Sequence, residues 1–280
     1  VFTLRDLSDV DKLAPELKPK RSTLIIGGGY IGLEAAAVAA QIGLKVTLVE
    51  VADRILQRVA APQTSDYFRE LHQSQGVIIK EGVNLQRLVG KKGIVTSAKL
   101  SDGTLLDIDF AIVGVGIAPV TDIARESGLK VSDGVAVNNK GQTSDAAIWA
   151  AGDCCSFPYK GKRIRLESVP HAIEQGQLVA DNILGSRISY VPKPWFWSDQ
   201  YHVKLQITGL NSGFNRVITR RVNETAVSFW YYKDYQLIAV DAINDPRAYM
   251  VGKRLIDEEK TARPEIIEDV SSDLKSLLKA

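Results

Sequence analysis

The chain is short of cysteine, methionine and histidine, lacks a long apolar run and carries almost no net charge. Each shortage removes a class of function. Its two cysteines, Cys154 and Cys155, are adjacent, so they cannot staple a disulfide framework and nothing points to an oxidising compartment. The three histidines, His72, His171 and His202, form no cluster with Cys or carboxylates at ligand spacing, so no metal is expected. A net charge of +2 is too small for nucleic-acid binding by bulk electrostatics. The most apolar stretch, Leu24 to Ala40, is broken by Gly and Glu. It is neither a membrane span nor laid out as a secretory signal. A cytoplasmic location is the expectation. The only methionine is Met250 and the first residue is Val1, which predicts a processed, trimmed or fragmentary chain.

What is present suits a globular protein of two or three domains. Its 280 residues are 45% hydrophobic and 24% charged, enough for sizeable cores. In the lead-in from Val1 to Arg21, Leu7, Val10, Leu13 and Leu17 fall at helical spacing until prolines and a basic run stop the pattern. Ser22 to Ile26 reads as an apolar strand, Tyr30 to Gly43 as a helix with a C-terminal glycine, and Leu44 to Glu50 as a second strand. Together they make a βαβ unit. Thr64 to Gln75 predicts a helix and Gly76 to Ile79 a third parallel strand. Leu85 to Ile108 breaks into short β pieces with turns at Lys91–Gly93 and Ser101–Gly103, an antiparallel appendage. Phe110 to Val115 reads as a buried strand, Ile148 to Asp153 as another ending in a glycine turn, and the last block as β-rich with a terminal helix.

The central motif is Gly27-Gly28-Gly29-Tyr30-Ile31-Gly32. A lone GxGxxG is weak. Here it follows a strand, opens a helix and is followed about 20 residues on by Glu50 at the end of the next strand, the dinucleotide fingerprint. Gly27 permits the tight turn, Gly29 the approach of a pyrophosphate, and Gly32 close helix–strand packing. Backbone amides at Tyr30 and Ile31 and the positive helix end hold phosphate charge. Glu50 can accept hydrogen bonds from the adenosine ribose and would repel a 2′-phosphate, favouring NADH over NADPH, with Arg54 near enough to soften the preference. Gly114 and Gly116, before Pro119, suggest a second wall of the cleft, although a mere crossover would also need small residues.

Three further segments carry weaker signals. Asp153, after Trp149-Ala150-Ala151-Gly152, can present a carboxylate to polyol hydroxyls, or can be a simple turn Asp. In Glu167-Ser168-Val169-Pro170-His171, Ser168 can cap a helix that has Pro170 in its first turn. Such a helix, aimed by Ser168 and Val169 at a flavin, would stabilise negative charge. His171 can tune the site, but a lone histidine is more often structural. Pro194-Trp195-Phe196-Trp197-Ser198-Asp199-Gln200-Tyr201 is either a core strand or a flat, low-polarity contact. Lys160, Lys162, Arg163 and Arg165 read as a solvated hairpin in preference to a docking patch for an acidic partner.

Taken together, these segments resemble the FAD-dependent NADH:ferredoxin reductases of oxygenase systems, within the pyridine nucleotide-disulfide oxidoreductase superfamily. The resemblance runs from Leu4 to Lys279, and Trp195–Gln200 is its most specific stretch. It implies an α/β chain in three parts: a Rossmann-like NAD-binding domain (1–117), a second segment of an FAD-binding domain (118–194) and an α+β C-terminal reductase domain (195–280). It implies FAD and NAD(H) as cofactors and a [2Fe–2S] ferredoxin as partner, with the chain a monomer or homodimer. Glu34 would lie near the nicotinamide, Asp153 would bind FAD, and Trp197 would sit by the isoalloxazine. Hydride would pass from NADH to the flavin and single electrons to the ferredoxin.

Two departures qualify this. Relatives begin with another GxGxxG unit for the FAD adenosine diphosphate, so an N-terminal truncation is expected. His171 stands where relatives often have Asn. Disulfide reductase chemistry needs a spaced cysteine pair, which Cys154-Cys155 is not. An NADH oxidase would need a cysteine outside these residues. The remaining alternative is a truncated NAD-binding module without turnover.

Overall fold

The computed structural model describes residues 1–279. They form two compact units, Val1–Gly116 with Ser198–Leu205, and Ile117–Trp197 with the residues from Gln206 onward.

The first unit is built from α1 (Leu7–Leu13), β1 (Ser22–Ile26), α2 (Tyr30–Ile42), β2 (Lys45–Glu50), α3 (Pro62–Ser74), β3 (Ile78–Glu81), β4 (Leu85–Lys91), β5 (Ile94–Leu100), β6 (Leu105–Asp107) and β7 (Phe110–Val113). Its main sheet is parallel with order β3-β2-β1-β7. Strands buried on both faces read as continuous apolar runs, and Thr23 to Ile26 are all buried. Leu24, Ile26 and Ala111 point to the face covered by the antiparallel sheet β4-β5-β6, through Ala98, Leu100 and Ile108. Ile25 points to the other face, towards Gly32 of α2. Ala36, Ala37 and Ala39 are buried, and such small side chains let the helix lie close on the strands. Gly43 ends α2 in the left-handed conformation at φ 93°, where glycine carries no Cβ penalty.

After β1 the chain crosses to β2 and β3, then returns to β7 on the other side of β1. The gap between β1 and β7 is therefore the point where strand order reverses, and a crevice opens there at the strands' carboxyl ends.

The second unit contains α4 (Asp122–Glu126), β8 (Val135–Ala136), β9 (Cys155–Tyr159), β10 (Lys162–Ile164) and α5 (Val169–Ile183). These strands form a three-stranded sheet in the order β10-β9-β8. Next comes the hairpin of β11 (Trp195–Gln200) and β12 (Val203–Gly209), whose tip groups with the first unit. β13 (Arg216–Arg221), β14 (Val227–Lys233) and β15 (Gln236–Ile243) follow, then α6 (Pro246–Asp257) and α7 (Pro264–Glu268). β14 lies between β13 and β15, and Val227 to Tyr232 are all buried. Asp245 caps α6, accepting from the Ala248 N–H at 2.9 Å. Buried Arg220 ties the chain end down by donating to the carbonyls of Ile267, Asp269, Val270 and Ser272.

Three details depart from the sequence reading. Ile148 to Asp153 is not a strand. Only Trp149 bridges, to Gln142, because the Asp145 carboxylate folds its loop back onto the Ala147 N–H, and Gly152–Cys154 winds into a 3-10 turn. β3 starts at Ile78, since Gly76 is left-handed at φ 81° and still belongs to the end of α3. The last block ends in a 3-10 turn, Leu274–Leu278, with its helix further upstream as α6. Pro264 and the Asp269–Asp273 turns, where Asp269 accepts from Ser271 and Ser272, stop any longer helix.

Candidate functional site

The crevice between β1 and β7 is lined by backbone. Gly27 has φ 109°, and a Cβ on it would lie 2.3 Å from the Gly114 carbonyl oxygen. The two loops therefore touch main chain to main chain, joined by the Gly114 N–H donating to Ile26 O at 2.8 Å. A Cβ on Gly32 would meet the Gly27 oxygen at 2.0 Å, so only glycine lets α2 start this close to β1. At Gly29, by contrast, nothing lies within 4 Å of a Cβ. Gly29 is needed for nothing inside the protein, and the space above it is open. It is also the N-cap of α2 and supplies no side-chain cap. Tyr30 and Ile31 begin the helix, with the Ile31 side chain 46% exposed. The arrangement presents helix N–H groups and a positive dipole end to an anion.

Glu50 closes one side of this cradle. One carboxylate oxygen accepts from the Gly28 N–H at 2.6 Å and the other from the Ala52 N–H at 2.8 Å. A carboxylate has about four acceptor sites, so held in this way it still has lone pairs for hydroxyl donors. Arg54 does something different from what its spacing suggested. Its guanidinium donates to Ser65 Oγ and to the Ala60 carbonyl at 2.8 Å, and so holds the loop that leads into α3. The exposed arginine at the crevice is Arg58, which the sequence reading did not single out. Its Nη2 lies 3.6 Å from where a Cβ of Gly116 would be, and Gly116 itself is left-handed at φ 105°. Only the tertiary return of β7 brings Gly116 to Arg58.

Glu34, in the second turn of α2, is half-buried. Ser198 Oγ donates to its Oε1 at 2.5 Å. Burial pushes the Glu34 carboxyl above the usual range, the Ser198 hydroxyl pulls it back, and the nearby Asp199 charge raises it further. Alternation along β11 puts Trp195 and Trp197 on one side of the strand and Ser198 and Gln200 on the opposite, buried side. The two indoles lie 5.5 Å apart at 31°, and Trp195 also meets Tyr249 at 6.3 Å.

In the second unit, Ser168 caps α5 by accepting from the His171 N–H, and Val169 and Pro170 open the helix. Gln175 Oε1 accepts from the Gly152 N–H at 2.7 Å, fixing the turn that carries the exposed Asp153. His171 is buried, stacks on Phe157 at 5.1 Å and bonds Tyr190 through Nδ1 at 2.8 Å. Burial lowers its proton affinity. Cys154 is exposed and Cys155 buried, and burial pushes the Cys155 thiol up to about 12. Of the basic cluster, Arg163 donates to the carbonyls of Val137 and Ser156, and Arg165 pairs with Asp133 and Glu167. Lys160 pairs with Glu259 at 3.4 Å, so three of the four cations are committed within the unit. Among the described residues no group of His, Cys, Asp and Glu could hold a metal ion, and no helix is long and apolar enough to cross a membrane.

A parallel sheet with a glycine crevice at its switch point, an acid at the end of β2 and an inserted antiparallel sheet define a dinucleotide-binding α/β protein. The chain belongs to the pyridine nucleotide-disulphide oxidoreductase family, which matches residues 1–176, and residues 195–278 match the reductase C-terminal domain. It is 40% identical to the ferredoxin–NAD(P)(+) reductase of a Sphingomonas species over 94% of its own length and 65% of that protein. It is 36% identical to putidaredoxin reductase of Pseudomonas putida over 99% of its length and 67% of that protein. Among solved structures, the ferredoxin reductase of the CYP199A2 system of Rhodopseudomonas palustris matches with a TM-score of 0.96 and 38% identity, over 99% of this chain and 69% of that one. The chain thus spans about two thirds of the length of the relatives it matches.

Proposed function

We propose that this chain is the pyridine-nucleotide-binding and C-terminal part of a cytoplasmic flavoprotein reductase that passes electrons from NADH through FAD to a [2Fe–2S] ferredoxin. The observation that carries the reading is the open space over Gly29 in a glycine run whose other members, Gly27, Gly28 and Gly32, leave no room for a Cβ. Two relatives are named as ferredoxin or putidaredoxin reductases, and a further structural match is a covalent putidaredoxin reductase–putidaredoxin complex. The organisation that goes with it is 1–117 for NAD, 118–194 for part of the FAD domain and 195–280 for the reductase domain.

In this reading Gly27, Gly29, Tyr30, Ile31 and Gly32 hold the pyrophosphate, Gly114 and Gly116 form the facing wall, and Glu50 takes the adenosine ribose. Arg58 is the cation offered to phosphate, while Arg54 supports the loop behind Glu50. Glu34 lies beside the nicotinamide. Asp153 and the α5 N-terminus at Ser168 and Val169 serve FAD, with Trp197 near its ring. When bound, the cofactors supply the redox chemistry, a two-electron hydride carrier meeting a group that releases electrons singly. The protein's part is to bind, orient and exclude water. Cys155, buried and protonated at neutral pH, forms no dithiol couple with its exposed neighbour Cys154.

The test is an absorbance spectrum of the purified chain before and after FAD and then NADH, with NADH and NADPH titrated by fluorescence. NADH binding preferred at least about tenfold over NADPH, a difference of about 1.4 kcal/mol, supports the cleft assignment. Equal affinities would remove the role given to Glu50. Flavin bands that bleach on adding NADH would extend the activity to this chain. NADH binding without retained flavin would assign turnover to a longer protein.

A further inference from the structure

Glu34 is the first member of a buried polar chain that the reaction does not require. All its members lie in the first unit. Ser198, Gln200 and His72 are each at most 1% exposed. Ser198 Oγ bonds Glu34 at 2.5 Å, Gln200 Nε2 bonds Ser198 Oγ at 3.1 Å, His72 Nε2 bonds Gln200 Oε1 at 2.8 Å, and His72 Nδ1 bonds the Tyr201 hydroxyl at 3.1 Å.

The direction of every bond follows from one end. An ionised carboxylate only accepts, so the Ser198 hydroxyl donates to Glu34. Ser198 Oγ therefore accepts, and the Gln200 amide N–H donates to it. The Gln200 carbonyl must then face His72, which requires the proton on Nε2. That leaves His72 Nδ1 as an acceptor for the Tyr201 O–H. Four donors in series thus point at one carboxylate, an arrangement in which each bond polarises the next. Burial disfavours the charged form of His72 and pushes the Tyr201 phenol up to about 12, so the negative charge of the ionised chain resides on Glu34. An amide in the series does not hand on protons, so the chain polarises and does not conduct. Tyr201 also sits at φ 57° in the hairpin turn, a conformation unfavourable for a bulky side chain. The fold tolerates this strain at the point where the ring docks on His72, with centroids 5.0 Å apart.

We propose that Ser198, Gln200, His72 and Tyr201 are positioning residues, a one-way hydrogen-bonded chain that fixes the rotamer and the charged state of Glu34. This rests on the reading that sets Glu34 beside the nicotinamide. The chain opposes the two influences that favour the neutral acid, burial and the Asp199 charge. It also makes the His72 tautomer a reporter of the state of Glu34.

The test is NMR on the 280-residue chain, labelled with ¹³C at Glu carboxyls and ¹⁵N at His. The Glu34 titration and the His72 tautomer are followed in the unsubstituted chain and in Ser198→Ala, Ser198→Thr and Tyr201→Phe. Expected are a neutral Nε2–H tautomer for His72, a Glu34 midpoint raised by about one pH unit in Ser198→Ala, and recovery in Ser198→Thr. Tyr201→Phe removes one oxygen four links away. It should raise the Glu34 midpoint by about 0.1 to 0.3 unit and alter the His72 ¹⁵N shifts. An Nδ1–H tautomer, or a Tyr201→Phe chain whose Glu34 titrates as in the unsubstituted protein, would overturn the proposal. NADH titration of Glu34→Gln tests the underlying reading separately. Unchanged affinity there would remove Glu34 from the nicotinamide site, whatever the NMR gives.

Discussion

Gly29 and Gly32 are three residues apart in one motif, yet alanine at each should produce opposite outcomes. At Gly32 the new methyl would lie 2.0 Å from the Gly27 carbonyl oxygen, a backbone atom that cannot swing aside. Overpacking against main chain costs about 1–3 kcal/mol or more. For a protein of this size that is a fall in Tm of roughly 2–12 °C. At Gly29 the backbone is extended (φ −82°, ψ −179°), a conformation alanine adopts freely, and no protein atom lies within 4 Å of the methyl. Lower entropy of the unfolded chain, worth about 0.4–1 kcal/mol, is offset by alanine's poorer fit at the N-cap of α2, so stability should change by less than about 1 kcal/mol. The methyl would, however, fill the space assigned to the pyrophosphate, and dinucleotide affinity should fall at least tenfold, about 1.4 kcal/mol. The assays are thermal denaturation and NADH fluorescence titration of Gly29→Ala, Gly32→Ala and the unsubstituted chain. A Gly29→Ala protein that folds normally and binds NADH with unchanged Kd would refute the assignment of the cleft.

Glu50→Gln removes the charge but keeps both oxygen and shape, and should narrow the preference for NADH over NADPH by several-fold in competitive titration; an unchanged ratio would mean selectivity is set elsewhere. Stability should fall as pH drops below about 6.5. His72 and His171 have depressed proton affinities, so the unfolded chain takes up protons first, and the stability gained from keeping the rings neutral is lost on acidification. Glu34 has the opposite sign, because its raised affinity favours the folded state as pH falls, so Glu34→Gln should steepen the decline in Tm between pH 7 and 5; a flatter profile would contradict the burial of that carboxyl. Arg220→Met should lower stability by about 2–4 kcal/mol, read by denaturant titration, because four carbonyls lose their donor. Brief alkylation of the native chain at pH 8 should modify Cys154 and spare Cys155, and mass spectrometry showing two adducts before unfolding would place Cys155 outside the core.

Much of the first unit was written in local pattern. The apolar run Thr23–Ile26, the glycines, the alanine-rich helix and Glu50 at the end of β2 are short-range signals whose geometry follows from backbone sterics and strand–helix periodicity. That is why the βαβ unit could be read directly. The Ile148–Asp153 segment could not, because an apolar run becomes a strand only if a partner lies alongside, and here only Trp149 finds one. Arg54 is the arginine nearer to Glu50 in sequence, and Arg58 lies one helical turn's length further on. The loop into α3 claims the first, and the return of β7 brings Gly116 to the second. The polar chain on Glu34 lay further from view still, since Ser198 is 164 positions and Gln200 128 positions from their partners. The sequence by itself determined the dinucleotide fold and its glycine cradle, because those rest on contacts within one supersecondary unit. Which charged side chains face that cradle, and which buried donors hold Glu34, was decided only by tertiary structure, because hydrogen-bond partners are chosen by proximity in space.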